Sequence, residues 1–272
     1  QEEYTLEHNV YDGIGTYAIN HNFNKCSSFR EQYIDRNIDN IFGKLLDKVK
    51  PEVIHIQHLL FLSFGIINEA KKRRIPVVFT LNDYWLFCHK GQLIKNNLII
   101  CRDYNQLNCY VCLTPQLSIK KNTVFFYNLL RRRFPNIFLQ MVKNTYLIFI
   151  KTFFLNRTKL EGEIKKRHDC VKEAISGVDL FLAPSNFIKE KFIEFGIPEG
   201  KILFSSYGID HKDLYPTIKT SSKKIRFGYI GILLPMKGVD ILVSVFRKIK
   251  NSSIILFVYG KLMPYIGYES YH

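Results

Sequence analysis

No apolar run in the 272-residue chain is long enough to span a bilayer, and the first residues, QEEYTLEHNVYDG, lack the basic start and apolar core of a secretory signal. A cytoplasmic address is therefore expected, with room for peripheral attachment to the inner face of a membrane. Internal repeats and low-complexity tracts are also missing. With 47% hydrophobic residues the chain can bury a sizeable core, as one large domain or two smaller ones. Acidic residues are scarce: 24 Asp and Glu against 39 Lys and Arg leave a formal charge of +15. Much of the excess lies in residues 120–172, where 13 Lys and Arg meet 3 acids. Phe, Leu, Ile and Tyr are mixed into that segment, so it is no polar tail. It reads either as basic, apolar-faced helices that rest on an anionic membrane surface or hold an acceptor with a lipid or acidic part, or as a solvated helical excursion packed on the first domain. No recognisable nucleic-acid motif accompanies the charge, so no nucleic-acid partner is expected.

Four short runs rich in β-branched or aromatic residues are each followed by a polar turn and a helix-like segment: EVIHI (52–56), PVVFTL (76–81), DLFLAPS (179–185) and KIRFGYIG (224–231). Such runs alternating with helices predict parallel strands covered on both faces, hence an α/β class. The helix after EVIHI, LLFLSFGIINEAKKRR, ends in basic residues that suit a helix C-terminus. The helix after KIRFGYIG places Val239, Leu242, Val243, Phe246 and Ile249 on one face. Between them, from KILFSSYGID onward, the pattern lapses into Gly, Pro, Ser, Thr and Lys, predicting a linker near residues 211–224. The expected division is a first domain over 1–211, with the excursion 120–172, and a linker plus the opening of a second domain over 212–272. Two strands and one helix are too few for that second domain to be stable alone.

In open parallel sheets ligands bind beyond the carboxyl ends of the strands. Gln57 and His58 follow the first run; Asn82, Asp83, Tyr84 and Trp85 follow the second. His58 and Asp83 are either turn and capping residues or parts of one crevice. In GYIGILLPMKGVDILVSVF (228–246), Gly231 removes a side chain directly after the strand, and Lys237-Gly238 stand at a helix start, where free N–H groups attract anions. A lysine there suits a diphosphate.

The stretches PEVIHIQHLLFLS, KKRRIPVVFTLNDYWLFC, VDLFLAPSNFIKEKFIEFGIPEGKILFSSYGID and IRFGYIGILLPMKGVDILVSVF, in this order over roughly residues 50–260, resemble glycosyltransferase family 4. The resemblance implies the GT-B fold, two Rossmann-like domains facing across a cleft. It also implies retaining transfer of a sugar from a nucleotide-sugar donor to a glycan or lipid-linked acceptor, without a catalytic metal. Gly231, Lys237 and Gly238 match donor-binding positions, and Gly208 matches the glycine of the family's NGID stretch. Asp83 matches an acceptor-facing residue, so His58, Asn82 and Asp83 become the candidate catalytic set. The chain departs from the pattern at Asn82, where many members have His, at Ile232, where many have Arg, and at Tyr207, where Asn is usual. The family's first strand is expected upstream of residue 1, and its paired-glutamate helix downstream of residue 272. Two other readings stay open: a non-catalytic basic module binding an anionic membrane surface or nucleic acid, and an inactive truncated transferase.

Four of the six cysteines, Cys88, Cys101, Cys109 and Cys112, fall in one stretch with the spacing C-x12-C-x7-C-x2-C. The C-x2-C pair is the usual half of a zinc knuckle, so a structural zinc is expected, with His89 able to replace one thiolate; disulfides and plain thiols are the alternatives. Four thiolates close the zinc shell, which excludes a catalytic role for such a metal.

Overall fold

The computed structural model describes residues 2–21, 28–60, 62–95, 99–102, 109, 112, 157–212 and 220–261. Most of the excursion expected over 120–172 lies outside these residues. By compactness the chain forms two units, residues 1–91 with 103–207, and residues 92–102 with 208–272.

The first unit is built on four parallel strands, β3 (Ile54–Ile56), β4 (Val77–Thr80), β5 (Leu180–Ala183) and β6 (Ile202–Phe204), in the order β3-β4-β5-β6. The first three coincide with the expected apolar runs. Their registers set Ile56 beside Phe79, Phe79 beside Phe181, and Phe181 beside Ile202, and all four are buried. The other face differs from expectation. Among the described residues His55 and Leu203 are exposed, while Val78, Leu180 and Leu182 are only half-buried, so one face of the sheet is covered except at its edges, Ile54 and Phe204, and the other only in part. The class is α/β, compatible with a Rossmann-like domain.

Helix α1 (Arg36–Val49) starts where the Asp35 carboxylate accepts the N–H groups of Asn37 and Ile38, and stops at Lys50 in the left-handed region. It packs on α2 (Gly65–Lys72), which is shorter than the expected helix because Leu59 and Phe64 are drawn into the core ahead of its first turn. The guanidinium of Arg73 ties the two helices, donating to Asp47 and Glu69. Asp179, just before β5, accepts from Lys71 Nζ at 3.1 Å and from the Val77 amide at 2.8 Å, joining α2 to β4. Helix α3 (Arg157–Ser176) buries Leu160, Ile164, Val171 and Ala174. Helix α4 (Asn186–Phe195) is capped by Ser185 and closed by Gly196 (φ +115°), and drives Phe192 into contact with Phe87. Ahead of all this, β1 (Leu6–Tyr11) and β2 (Ile14–Ile19) form an antiparallel hairpin turning at Asp12-Gly13, with positive φ at both.

In the second unit β7 (Ile225–Ile230) and β8 (Ile254–Tyr259) pair in parallel, joined by α5 (Val239–Lys248), with Phe227 edge-on to Phe246 at 5.2 Å. No helix of the described residues is long and apolar enough to cross a membrane.

Candidate functional site

The carboxyl ends of β3 and β4 open into a small pocket lined by Gln57, His58, Thr80, Asn82, Asp83 and Trp85 among others. His58 and Asp83, each on the turn after its strand, meet there: His58 Nε2 lies 2.6 Å from Asp83 Oδ2. The Leu60 amide donates to His58 Nδ1 at 2.7 Å, so that nitrogen is an acceptor and the ring proton sits on Nε2, donated to the carboxylate. The other Asp83 oxygen accepts the Trp85 amide at 2.8 Å. Asp83 is thus both a turn-closing residue and the partner of His58, and both side chains keep about a third of their surface exposed, 34% and 37%. Gly91 makes room for this arrangement. It has φ +73°, and a Cβ there would stand 3.3 Å from Asp83 Oδ2. Its carbonyl accepts the Tyr84 amide, closing the loop after β4 on itself.

Asn82 lines the same pocket but bonds to other partners. Its Nδ2 donates to the Gln57 carbonyl at 2.7 Å and to Gln57 Oε1 at 3.2 Å, while its Oδ1 accepts the Tyr207 hydroxyl at 2.7 Å. His55, whose Nε2 lies 2.7 Å from Thr80 Oγ1, completes the row. Tyr207 and Asn82 are 125 residues apart in sequence, and each is a position where the chain departs from the resembled pattern. His55 and Thr80 escape sequence reasoning because a polar residue inside a strand carries no signal of its own.

Behind the pocket, Arg167 of α3 is 2% exposed. It donates to the Trp85 carbonyl, and to the Leu86 carbonyl at 3.2 Å, and its guanidinium lies 4.9 Å from the centre of the Trp85 ring. Burial lowers its pKa to about 10, so it stays charged near neutrality. Among the described residues no carboxylate pairs with it. The expectation of a solvated basic segment therefore fails at this residue, which turns inward because two backbone carbonyls and three aromatic rings, those of Trp85, Tyr33 and Phe64, receive it.

Its neighbour His168 is 6% exposed, and burial first, then Arg167 and Lys172, push its pKa down to about 4. An unfolded chain protonates that ring near about 6.5. Between these values the unfolded state binds more protons, so the stability contributed by neutral His168 is complete above the upper value and is lost as pH falls toward the lower. Urea midpoints should drop between pH 6.5 and pH 4, and His168→Gln should flatten that slope; an equal slope in the variant would reject the assignment.

Cys88, Cys101, Cys109 and Cys112 are half-buried thiols, and His89 is pushed down to about 4 by burial despite a hydrogen bond to the Cys112 backbone. Among the described residues no group of three or more His, Cys, Asp or Glu side chains stands together as a metal site, so the expected zinc has no assembled ligand set there. In the second unit Gly238 takes φ +67° at the start of α5, with exposed Lys237 just before it. The Gly231 amide donates to the Tyr259 carbonyl at 3.0 Å, and a Cβ on Gly260 would collide with the Gly231 carbonyl. Gly208 is exposed in the stretch after β6.

No protein-family profile matches the chain. An uncharacterized 42.6 kDa protein in the cps region of Klebsiella pneumoniae is 22% identical to it over 199 residues, 73% of this chain and 38% of that protein. The chain thus spans about two fifths of the length of the curated relative it matches.

Proposed function

We propose that the chain is part of a glycosyltransferase of polysaccharide assembly, passing a sugar from a nucleotide-diphosphate donor to a glycan or glycoconjugate acceptor with retention. The observation that carries this reading is the His58–Asp83 pair at the carboxyl ends of two adjacent parallel strands, where such sheets bind ligands. The location of the Klebsiella relative in a cps region, where capsule polysaccharide genes lie, supports the polysaccharide context. In this reading the second unit belongs to a second Rossmann-like domain of a GT-B architecture. Lys237 and the amides at the start of α5 balance the charge that develops on the departing diphosphate, and Gly231 and Gly208 leave room for it. No metal is needed for that task. Asp83 receives the proton of the attacking hydroxyl, His58 fixes the carboxylate, and the basic stretch 120–172 holds a lipid-linked acceptor or an anionic membrane surface.

The test is release of nucleoside diphosphate and label transfer by the full-length protein, using UDP-, GDP-, ADP- and dTDP-sugars with polyprenyl-phosphate-linked saccharides. Lys237→Ala should lower turnover by roughly 10²- to 10³-fold, the cost of losing one preorganised charge-stabilising group. Unchanged turnover would reject Lys237; failure of every donor to react would reject the transferase.

A further inference from the structure

Two buried groups behind the turn that follows Asp83 lack the partner their chemistry calls for. The His89 ring donates to the Cys112 carbonyl, so its proton sits on Nδ1, and Nε2 is buried with a bare lone pair and no hydrogen-bond partner. The Arg167 guanidinium, 2% exposed, serves two backbone carbonyls but meets no carboxylate among the described residues. A buried cation without a counter-charge bears an uncompensated desolvation cost. Cys88 and Cys109 lie in its electrostatic field, where thiolates would supply the missing negative charge. The backbone brings these residues into one neighbourhood. Cys88 and His89 are consecutive on a turn in which the Cys88 amide donates to the Tyr84 carbonyl and the Gly91 amide to the Cys88 carbonyl, each at 2.7 Å. The Cys112 amide donates to the Cys109 carbonyl at 3.1 Å, and the bond from His89 to Cys112 ties this second turn to the first.

We infer that Cys88, His89, Cys109 and Cys112 bind a zinc ion that serves as the counter-charge of Arg167. Three thiolates and a neutral imidazole around Zn²⁺ carry one net negative charge, which matches the single positive charge of the guanidinium. Each thiol releases its proton to solvent as its Zn–S bond forms, while His89 Nε2 offers its lone pair as it stands. The bond from Nδ1–H to a backbone carbonyl is the orientation that zinc-bound imidazoles use. Among the described residues the four side chains are not gathered into one shell, so coordination turns the thiols on a backbone that is already folded back on itself. Cys101, which belongs to the other compact unit, and Cys170, on α3, stay outside the set. The protein fills all four positions of the ion, which therefore holds the loop and takes no part in the proposed transfer. The inference stands apart from the transferase reading.

Full-length protein purified without chelator should carry about one zinc per chain by elemental analysis. Cobalt(II) in its place should give the visible spectrum of a tetrahedral site with a sulfur-to-metal charge-transfer band, and chelation should expose the bound thiols to a thiol reagent. Cys88→Ser, Cys109→Ser and His89→Ala should each lose the tetrahedral spectrum, whereas Cys101→Ser and Cys170→Ser should keep it, with circular dichroism reporting the fold of every variant. Arg167→Met, which removes the charge and keeps most of the volume, should weaken metal affinity about 10- to 100-fold, the usual effect of losing a group that supports the ligands. Arg167→Lys, which keeps the charge, should stay near wild type. Metal-free protein that takes up no cobalt, a disulfide among these cysteines, or loss of the spectrum in Cys101→Ser would each overturn the site. Equal affinity in wild type, Arg167→Lys and Arg167→Met would overturn the role as counter-charge.

Discussion

Replacing Arg167 by alanine is expected to lower the unfolding free energy by roughly 3 to 5 kcal/mol, a large part of what a domain of this size possesses. The guanidinium is 2% exposed and serves two backbone carbonyls, those of Trp85 and Leu86, at the turn that follows Asp83. Truncation leaves both acceptors buried without a donor, at about 1 to 3 kcal/mol each, and removes a side chain packed among the Trp85, Tyr33 and Phe64 rings. Arg167→Met separates these causes, since it fills most of the volume but supplies no N–H. Arg167→Lys keeps the charge, yet an ammonium lacks the planar fork that reaches two carbonyls at once. The expected order of stability is wild type, then lysine and methionine, then alanine, measured by urea denaturation followed through circular dichroism and Trp85 fluorescence. An alanine variant within about 1 kcal/mol of wild type would show that water satisfies those carbonyls and that the buried charge contributes nothing.

Arg167 also shows where sequence reading stops. Within KKRHDC nothing separates the one inward-facing cation from its solvated neighbours Lys165 and Lys166, because helical period alone does not say which face meets a loop 80 residues upstream. The sheet was far more legible. Continuous apolar runs such as PVVFTL and DLFLAPS became β4 and β5, since strands buried on at least one face need them. The short strand β6 lies inside the first domain expected over 1–211 but gives no strand signal of its own, because Ile202–Phe204 offers only three residues and two of them are exposed. The β1–β2 hairpin carries a strong turn signal at Asp12-Gly13, but its strands mix polar and apolar residues and are almost wholly exposed, so they lack the continuous apolar runs that mark the sheet. At the site, position after a strand singles out His58 and Asp83, but their bond and the link from Tyr207 to Asn82 depend on contacts between residues 25 and 125 apart.

Asp83→Asn should abolish most of the proposed transfer, lowering turnover by roughly 10²- to 10⁴-fold, the usual worth of a positioned base. The substitution looks isosteric and is not. One Asp83 oxygen accepts the Trp85 amide and the other accepts the His58 Nε2–H, so both oxygens face donors. An asparagine must turn its NH₂ toward one of them. Facing Trp85, it meets a backbone N–H that cannot move its proton. Facing His58, it forces the ring proton onto Nδ1, where the Leu60 amide already donates. Either orientation sets donor against donor, and the carboxylate that would take the acceptor's proton is gone. His58→Ala should cost less, about ten-fold, since it loosens the carboxylate without removing it. The two variants together should lose little more than Asp83→Asn alone, because His58 acts only through Asp83. Turnover and donor affinity are measured separately on full-length protein, with Trp85 fluorescence and thermal unfolding confirming the fold. Asp83→Asn that keeps more than about a tenth of wild-type turnover would remove Asp83 from the chemistry and leave it as the turn-closing residue its bond to Trp85 already makes it.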